Sequence, residues 1–173
     1  SSSTTAANAA TTAAGASGTE YKDTITIATG VDQNYMDGQM NNTSDVFLRA
    51  VYSQLVRRNA DNEMVGDLAE SWEVSDDGCT WTFHLKHGVK FHSGKELTAK
   101  DVKASYDRLL DTENPVRYTS LAAGYISACN MVDDYTVELV TPSPIAPMLA
   151  NLAHRSNLIL NADYIEQYGA ELG

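Results

Sequence analysis

Three histidines and a glycine–lysine pair stand close together in the sequence and suggest two kinds of chemistry. His84, His87 and His92 are followed at once by Gly94 and Lys95. Histidines at short spacing can hold a metal ion, and a glycine–lysine pair occurs in loops that bind phosphate. The residues around them decide whether either chemistry is available.

A metal site is not supported by the neighbouring residues. His84 and His92 face the same side of the predicted strands, but no Cys, Asp or Glu stands beside them at ligand spacing. The zinc-protease pattern HExxH is absent from the sequence. The pattern therefore predicts solvent-facing strand histidines, with neither a metal nor another cofactor.

The phosphate-loop interpretation fails on spacing. That motif needs four residues between its first glycine and the Gly-Lys pair, and then Ser or Thr. Here five residues separate Gly88 from Gly94, and Glu96 follows Lys95. A carboxylate at that position would repel the phosphates that it should help to hold.

Catalysis also lacks a recognisable set of residues. The sequence has no GxSxG nucleophile elbow, and its histidines stand in no triad context. The acidic pairs at 76–77 and 133–134 precede predicted strands, where Asp commonly forms turns. We therefore expect no catalytic residues and a protein that is not an enzyme.

The composition narrows the class of partner. The chain has 173 residues and a net charge of −11, so its field repels nucleic acid and we expect no nucleic-acid partner. No apolar run is long enough to cross a bilayer. Cys79 and Cys129 are interpreted as two small buried thiols, while a single bridge between them stays open.

The first twenty residues differ from the rest, because Ser, Thr, Ala and Gly dominate them and aromatic residues are absent. Such a segment buries too little surface to offset its ordering entropy, so we interpret residues 1–20 as a flexible tether. They contain no charged and apolar leader, so they are not an intact signal peptide. They are typical of what remains after a signal has been removed.

Strand and helix patterns alternate after the tether. Thr98, with Asp101 in the first turn, predicts the start of a helix over 98–110, whose apolar face carries Val102, Tyr106 and Leu109. Alternating apolar residues, including Trp81, Phe83 and Leu85, predict an antiparallel meander over 70–92. The other predicted elements are a strand at 23–30, a helix at 43–56, a strand at 135–140 and a short helix within 145–153.

The stretch LAESWEVSDDGCTWTFHLKHGVKFHSGKELTAKDVKASYDRLL at 68–110 resembles a family signature. It is similar to the bacterial extracellular solute-binding proteins of family 5, which serve peptide and nickel ABC transporters. VDDYTVELVTPSPIAPMLANLA at 132–153 also resembles a later strand and helix of that family, and the likeness extends from about Thr24 to the end. Cys79 departs from the usual residue at its position.

The resemblance implies an α/β fold with a mixed sheet, the N-terminal portion of a two-lobed, type II periplasmic-binding-protein-like architecture. The signature segment is then scaffold in a small extra α/β domain. We expect the chain to be the N-terminal part of a longer protein that lacks most of the ligand cleft. The expected division is a tether at 1–20, the start of lobe I at 21–50, the extra domain with its meander at 51–155, and a truncated return to lobe I at 156–173.

The implied function is the substrate-binding component of an ABC importer for peptides. Its expected partners are a peptide or other small solute and the membrane permease subunits, with the protein a monomer. It would be attached outside the cytoplasm through a lipid anchor upstream of residue 1, as in Gram-positive bacteria, or be periplasmic. The alternatives are a peptide-signal receptor, a surface interaction module of the same fold, or binding of nickel or another solute.

Two places are predicted to contact the ligand. The loop after the first strand lies at a strand's carboxyl end, where open α/β folds bind ligands, although a plain turn has the same composition. Tyr118 matches a position where family members often place an aromatic residue at the cleft, and it is otherwise a surface or core tyrosine. Arg155 is a further candidate, as the partner of an anion. The candidate residues are Gly30, Val31, Asp32, Asn34, Tyr118 and Arg155.

Overall fold

The computed structural model describes residue 26, residues 37–40 and residues 45–169. None of the described helices is long and apolar enough to cross a membrane. The elements in chain order are α1 (Asp45–Val51), β1 (Val56–Arg58), β2 (Met64–Gly66), β3 (Ala69–Val74), β4 (Thr80–Leu85), α2 (Ala99–Leu110), α3 (Thr119–Ala122), β5 (Ala128–Asp133), β6 (Thr136–Val140), α4 (Met148–Leu152), a 3₁₀ turn (Arg155–Asn157) and α5 (Ala162–Tyr168).

Four strands form one antiparallel sheet in the spatial order β3-β4-β6-β5, and β1 pairs with β2 in a separate hairpin. Phe83 lies opposite Trp72 of β3 and opposite Val137 of β6. Gly78 closes the β3–β4 turn with a φ of 70°, which glycine adopts without a steric penalty. The first half of the predicted meander is confirmed as the β3–β4 hairpin, and β6 confirms the strand predicted at 135–140.

Helix α2 covers one face of the sheet and confirms the helix predicted at 98–110. Val102, Tyr106 and Leu109 are all buried, with at most 1% of their surface exposed, and they join the same core as Phe83. The Asp101 carboxylate accepts the backbone N–H of Thr98 at 3.0 Å, which satisfies a donor that the first helical turn leaves open. The helix is thus specified both by its cap and by its apolar face.

The helix predicted at 43–56 is shorter in the structure, because α1 ends at Val51. Leu55 is fully buried but lies outside the helix. Its carbonyl accepts the backbone N–H groups of Asp67 and Ala69, both at 3.0 Å. Helical spacing alone could not predict that residues more than ten positions away would donate hydrogen bonds to the Leu55 carbonyl.

The second half of the predicted meander is reduced to one bridge between Lys90 and Glu96. The backbone N–H of Gly94 donates to the Phe91 carbonyl at 2.8 Å, and the Phe91 N–H donates to the Lys95 carbonyl at 2.9 Å. The chain therefore turns too soon after residue 91 to extend the sheet.

Residues 37–40 are fixed to α2 by a buried ion pair. The Arg108 guanidinium contacts the Asp37 carboxylate with its two terminal nitrogens, at 2.6 and 3.2 Å. Gln39 is also buried, and its side-chain amide donates to the Ser105 carbonyl at 3.0 Å. This contact links a turn early in the chain to a helix of the sheet layer.

The two cysteines are unpaired thiols in the structure, and only Cys129 is fully buried. The expectation of two buried thiols is therefore correct for Cys129, whereas Cys79 is half-buried. Burial, together with the charge of nearby Asp107, raises the pKa of the Cys129 thiol to about 12. Because the thiolate is the reactive form, Cys129 is poorly suited to react with thiol reagents.

We expect the two thiols to react at clearly different rates. In the folded protein at mildly alkaline pH, Cys79 should be modified by Ellman's reagent at least about tenfold faster than Cys129, since Cys129 is buried and its thiol pKa is raised. The Cys79→Ser and Cys129→Ser variants assign the two phases. Equal rates in the folded protein would contradict this expectation.

Candidate ligand-contact site

The structure brings Tyr118 and Arg155 together, although they are far apart in the sequence. Tyr118 occupies the residue before α3, and Arg155 begins the 3₁₀ turn that follows α4. The guanidinium carbon of Arg155 lies 5.9 Å from the centre of the Tyr118 ring. That of Arg117 lies 5.7 Å from the same centre, so two cations flank one aromatic ring.

The Tyr118 ring also meets the edge of His154, at 5.8 Å between ring centres and a T-shaped angle of 83°. Its hydroxyl is buried and has no hydrogen-bond partner in the described part of the chain. Tyr118 as a whole is only half-buried. The exposed part of Tyr118 therefore does not include its hydroxyl.

The charge around Tyr118 differs from that of the whole chain. Neither Arg117 nor Arg155 forms an ion pair with a carboxylate among the described residues, while the protein as a whole has a net charge of −11. Two uncompensated guanidinium groups favour an anionic group nearby, and guanidinium binds carboxylates with directed hydrogen bonds. The arrangement therefore suits a ligand with a carboxylate and an apolar portion.

Buried hydrogen bonds hold the two segments that carry this cluster. The Thr119 hydroxyl accepts the Val116 N–H at 3.0 Å, just before and after Tyr118. Asn157 is buried on the 3₁₀ turn, and its amide donates to the Tyr125 hydroxyl and to the Asn151 carbonyl, each at 2.9 Å. These contacts fix the backbone on both sides of the cluster.

Some residues of the cluster were not predicted from the sequence. Arg117 carried one available signal, since it is a basic residue next to Tyr118 in an acidic chain. His154 carried none, because its contact with Tyr118 depends on the packing of α4. The predicted loop residues Gly30, Val31, Asp32 and Asn34 lie outside the described residues and stay predictions.

The residues of the histidine-rich stretch have structural partners. Lys95 lies 3.2 Å from the buried Asp101 carboxylate and 2.8 Å from that of Asp163. The His87 ring packs on Tyr135 with 3.8 Å between ring centres. Within residues 26, 37–40 and 45–169, no group of three His, Cys, Asp or Glu side chains is arranged to hold a metal ion.

Two open cavities lie elsewhere on the described surface. One, of about 240 Å³, lies beside residues 89–93, and the other, of about 890 Å³, lies between the end of α2 and residues 111–116. Neither is lined by Tyr118 or Arg155. The cluster differs from both cavities in bringing two guanidinium groups to one aromatic ring.

Residues 63–171 match the family described as bacterial extracellular solute-binding proteins, family 5 Middle. The chain belongs to this family. The resemblance seen in the signature stretch is thereby confirmed. Because the match covers more than half of the chain, family membership applies to the sheet, to α2 and to the candidate site alike.

Two curated relatives of this family 5 chain are named as binding proteins. The dipeptide-binding protein of Escherichia coli (strain K12) is 38% identical over 143 residues, which cover 72% of this chain and 26% of that protein. The glutathione-binding protein GsiB of Pectobacterium atrosepticum is 32% identical over 130 residues, covering 75% of this chain and 25% of that protein. The chain thus spans about a quarter of the length of these relatives.

A solved structure agrees with the fold. The ABC transporter-associated periplasmic binding protein DppA from Helicobacter pylori, in complex with peptide STSA, is 30% identical with a TM-score of 0.69. The match covers 83% of this chain and 32% of that one. The expected fold class, a mixed α/β portion of a type II periplasmic binding protein, is confirmed.

Proposed function

We propose that this chain is part of the substrate-binding component of an ABC importer for peptides of the oligopeptide or dipeptide type. The family match supports the proposal, as do relatives named for binding a dipeptide or glutathione and a neighbour that holds a peptide. The partners in this proposal are a peptide and the permease subunits. In this proposal the protein is a monomer outside the cytoplasm, either lipid-anchored or periplasmic.

The observation that carries the proposal is the pair of arginines at the Tyr118 ring, neither of which pairs with a carboxylate among the described residues. A peptide presents a terminal carboxylate and apolar side chains, and the cluster offers guanidinium groups and an aromatic surface. Tyr118 and Arg155 are therefore proposed as ligand contacts. In this proposal Arg155 contacts the carboxylate and the Tyr118 ring contacts an apolar portion of the peptide.

The division of the chain is part of the same proposal. Residues 51–155 contain the whole four-stranded sheet together with α2, α3 and α4, which suits a small extra α/β domain. Residues 21–50 and 156–173 are assigned to lobe I, and residues 1–20 to a tether. The candidate cluster then lies at the edge of the extra domain, where its chain returns to lobe I.

Tyr118→Ala is expected to abolish the local response of the chain to a dipeptide. In nitrogen–proton correlation spectra, alanylalanine should shift the amides of residues 116–119 and 154–156 in the wild type. Loss of an aromatic contact typically costs about 1–3 kcal/mol of binding, which should remove these shifts at the same dipeptide concentration. Tyr164→Ala, which removes an exposed tyrosine elsewhere, is the matched control.

The carboxylate contact has its own comparison. Arg155→Gln should weaken the binding of alanylalanine. The shifts caused by alanylalanine amide, which lacks the carboxylate, should be the same in this variant as in the wild type. Arg57→Gln, at an exposed arginine in β1, is the control for charge alone. Equal shifts by alanylalanine in the wild type, in Tyr118→Ala and in Arg155→Gln would refute the proposed contacts.

Binding by the chain alone is expected to be weak. Ligand sites usually bury most of their ligand, whereas this chain spans about a quarter of the length of its relatives. Calorimetric titration with mixed dipeptides should therefore show little heat, corresponding to a Kd of about 1 mM or weaker. Micromolar binding by the 173-residue chain would contradict this expectation.

A further inference from the structure

A hydrogen-bond chain leads from the buried core to the Tyr118 cluster. The Tyr125 hydroxyl donates to the Asn157 side-chain oxygen at 3.2 Å, and the Asn157 amide donates back to that hydroxyl at 2.9 Å. The same amide donates to the Ser156 hydroxyl at 3.1 Å. Ser156 in turn lies 3.0 Å from the ring nitrogen Nδ1 of His154, whose edge meets Tyr118.

Tyr125, Ser156 and Asn157 are the buried members of this hydrogen-bond chain, and His154 at its end is exposed. The exposed fractions are 7% for Tyr125, 1% for Asn157 and 0% for Ser156. Asn157 also donates to the Asn151 carbonyl at 2.9 Å, so its amide orientation is fixed from several directions. Burial also raises the pKa of Tyr125, which keeps its hydroxyl protonated and able to donate.

This chain of hydrogen bonds joins the two backbone segments that carry the candidate ligand contacts. Tyr125 follows α3, which begins directly after Tyr118, and Asn157 ends the 3₁₀ turn that Arg155 begins. The distance between Tyr118 and Arg155 therefore depends on the Tyr125–Asn157 contact. Within the described part of the chain, the cations and the ring that contact the Tyr118 ring are Arg117, Arg155 and His154.

We propose that Tyr125 and Asn157 are positioning residues, which set the placement of His154 and Arg155 around the Tyr118 ring. The expected effect on dipeptide binding rests on the proposed function. The placement of His154 and Arg155 around the Tyr118 ring does not, because it can be measured without a ligand.

Tyr125→Phe is the decisive variant, because it removes only the hydroxyl. The matched control is Tyr106→Phe, which removes another buried tyrosine hydroxyl of the same core that has no hydrogen-bond partner among the described residues. In the wild type, the ring protons of His154 and Tyr118 should give a nuclear Overhauser effect. It should fall at least about twofold in Tyr125→Phe and persist in Tyr106→Phe, since only the former loses directed hydrogen bonds.

The binding measurement separates this inference from the proposed function. Tyr125→Phe should weaken alanylalanine binding by about three- to tenfold, the range expected for one lost hydrogen bond, and Tyr106→Phe should leave it unchanged. An unchanged Overhauser effect in Tyr125→Phe overturns the inference, as does equal binding by the two variants. If the wild-type amides of residues 116–119 and 154–156 do not respond to alanylalanine, the proposed ligand contacts are refuted, and the Overhauser effect alone then decides the positioning role.

Discussion

Asp101→Ala is expected to lower the free energy of unfolding by about 2–5 kcal/mol, because two backbone donors lose their acceptor and each unsatisfied donor costs about 1–3 kcal/mol. Its carboxylate is fully buried and accepts the Thr98 N–H at 3.0 Å and the Ala162 N–H at 2.9 Å. One side chain thus satisfies donors at the start of both α2 and α5, and it also pairs with Lys95 at 3.2 Å. Urea unfolding followed by circular dichroism measures the loss.

Asp163→Ala is the matched control, because Asp163 pairs with the same lysine at 2.8 Å from an exposed position. Exposed pairs contribute about 1 kcal/mol or less. Removing the Asp163 carboxylate leaves Lys95 partly exposed and still paired with Asp101 at 3.2 Å, so no buried group loses its partner. A loss in Asp101→Ala no larger than that in Asp163→Ala would show that Asp101 does not hold the two helix starts.

Arg108→Met should also destabilise the protein by about 3–5 kcal/mol, because it leaves the Asp37 carboxylate buried and unpaired. The two side chains are 9% and 0% exposed, and their oxygen and nitrogen atoms approach to 2.6 Å. Gln39 loses a donor as well, since its side-chain oxygen accepts from Arg108 at 3.0 Å. Urea unfolding of the variant beside the wild type gives the difference.

The double variant Asp37→Leu with Arg108→Met distinguishes two contributions to the free energy of unfolding: the cost of burying an unpaired charge and the stabilisation that the ion pair provides. Replacing both members of a buried pair with apolar residues is often neutral. We therefore expect the double variant to recover at least about half of the stability lost in the single one. A double variant less stable than Arg108→Met would show that hydrogen bonds of the Asp37 turn dominate, and not the unpaired charge.

The candidate site was only partly predictable. Tyr118 and Arg155 were chosen from the family resemblance and from residue type, and nothing local in the sequence places one beside the other. Their proximity goes with a hydrogen bond between Asn157 in the 3₁₀ turn and Tyr125, which follows α3. Arg117 was missed although it is adjacent to Tyr118, because a basic residue beside a tyrosine is by itself an ordinary surface pair.

The Gly-Lys pair at 94–95 has a structural role that could not be predicted from the sequence. Spacing excluded phosphate binding, but it did not say what Lys95 would do instead. The structure gives it one buried and one exposed carboxylate, from Asp101 and Asp163. The second of these is far along the chain, so only the docking of α5 beside α2 brings it into reach.

The sequence by itself determined the features that depend on near neighbours along the chain. Alternating apolar residues and Gly78 specify the β3–β4 hairpin, and Thr98 with Asp101 specifies the start of α2. The family signature is also local, since it is a run of residue types at fixed spacing. Hydrogen bonds and side-chain faces within a few residues are sufficient to fix these elements.

The tertiary structure alone decided which distant segments meet. It places β6 beside β4, removes Leu55 from the predicted helix and sets Arg155 against the Tyr118 ring. These outcomes follow from the requirement that buried backbone groups find partners and that apolar faces be covered. Many distant segments have apolar patterns that could pair with a given strand or helix, so its partner is determined only when the whole core packs together.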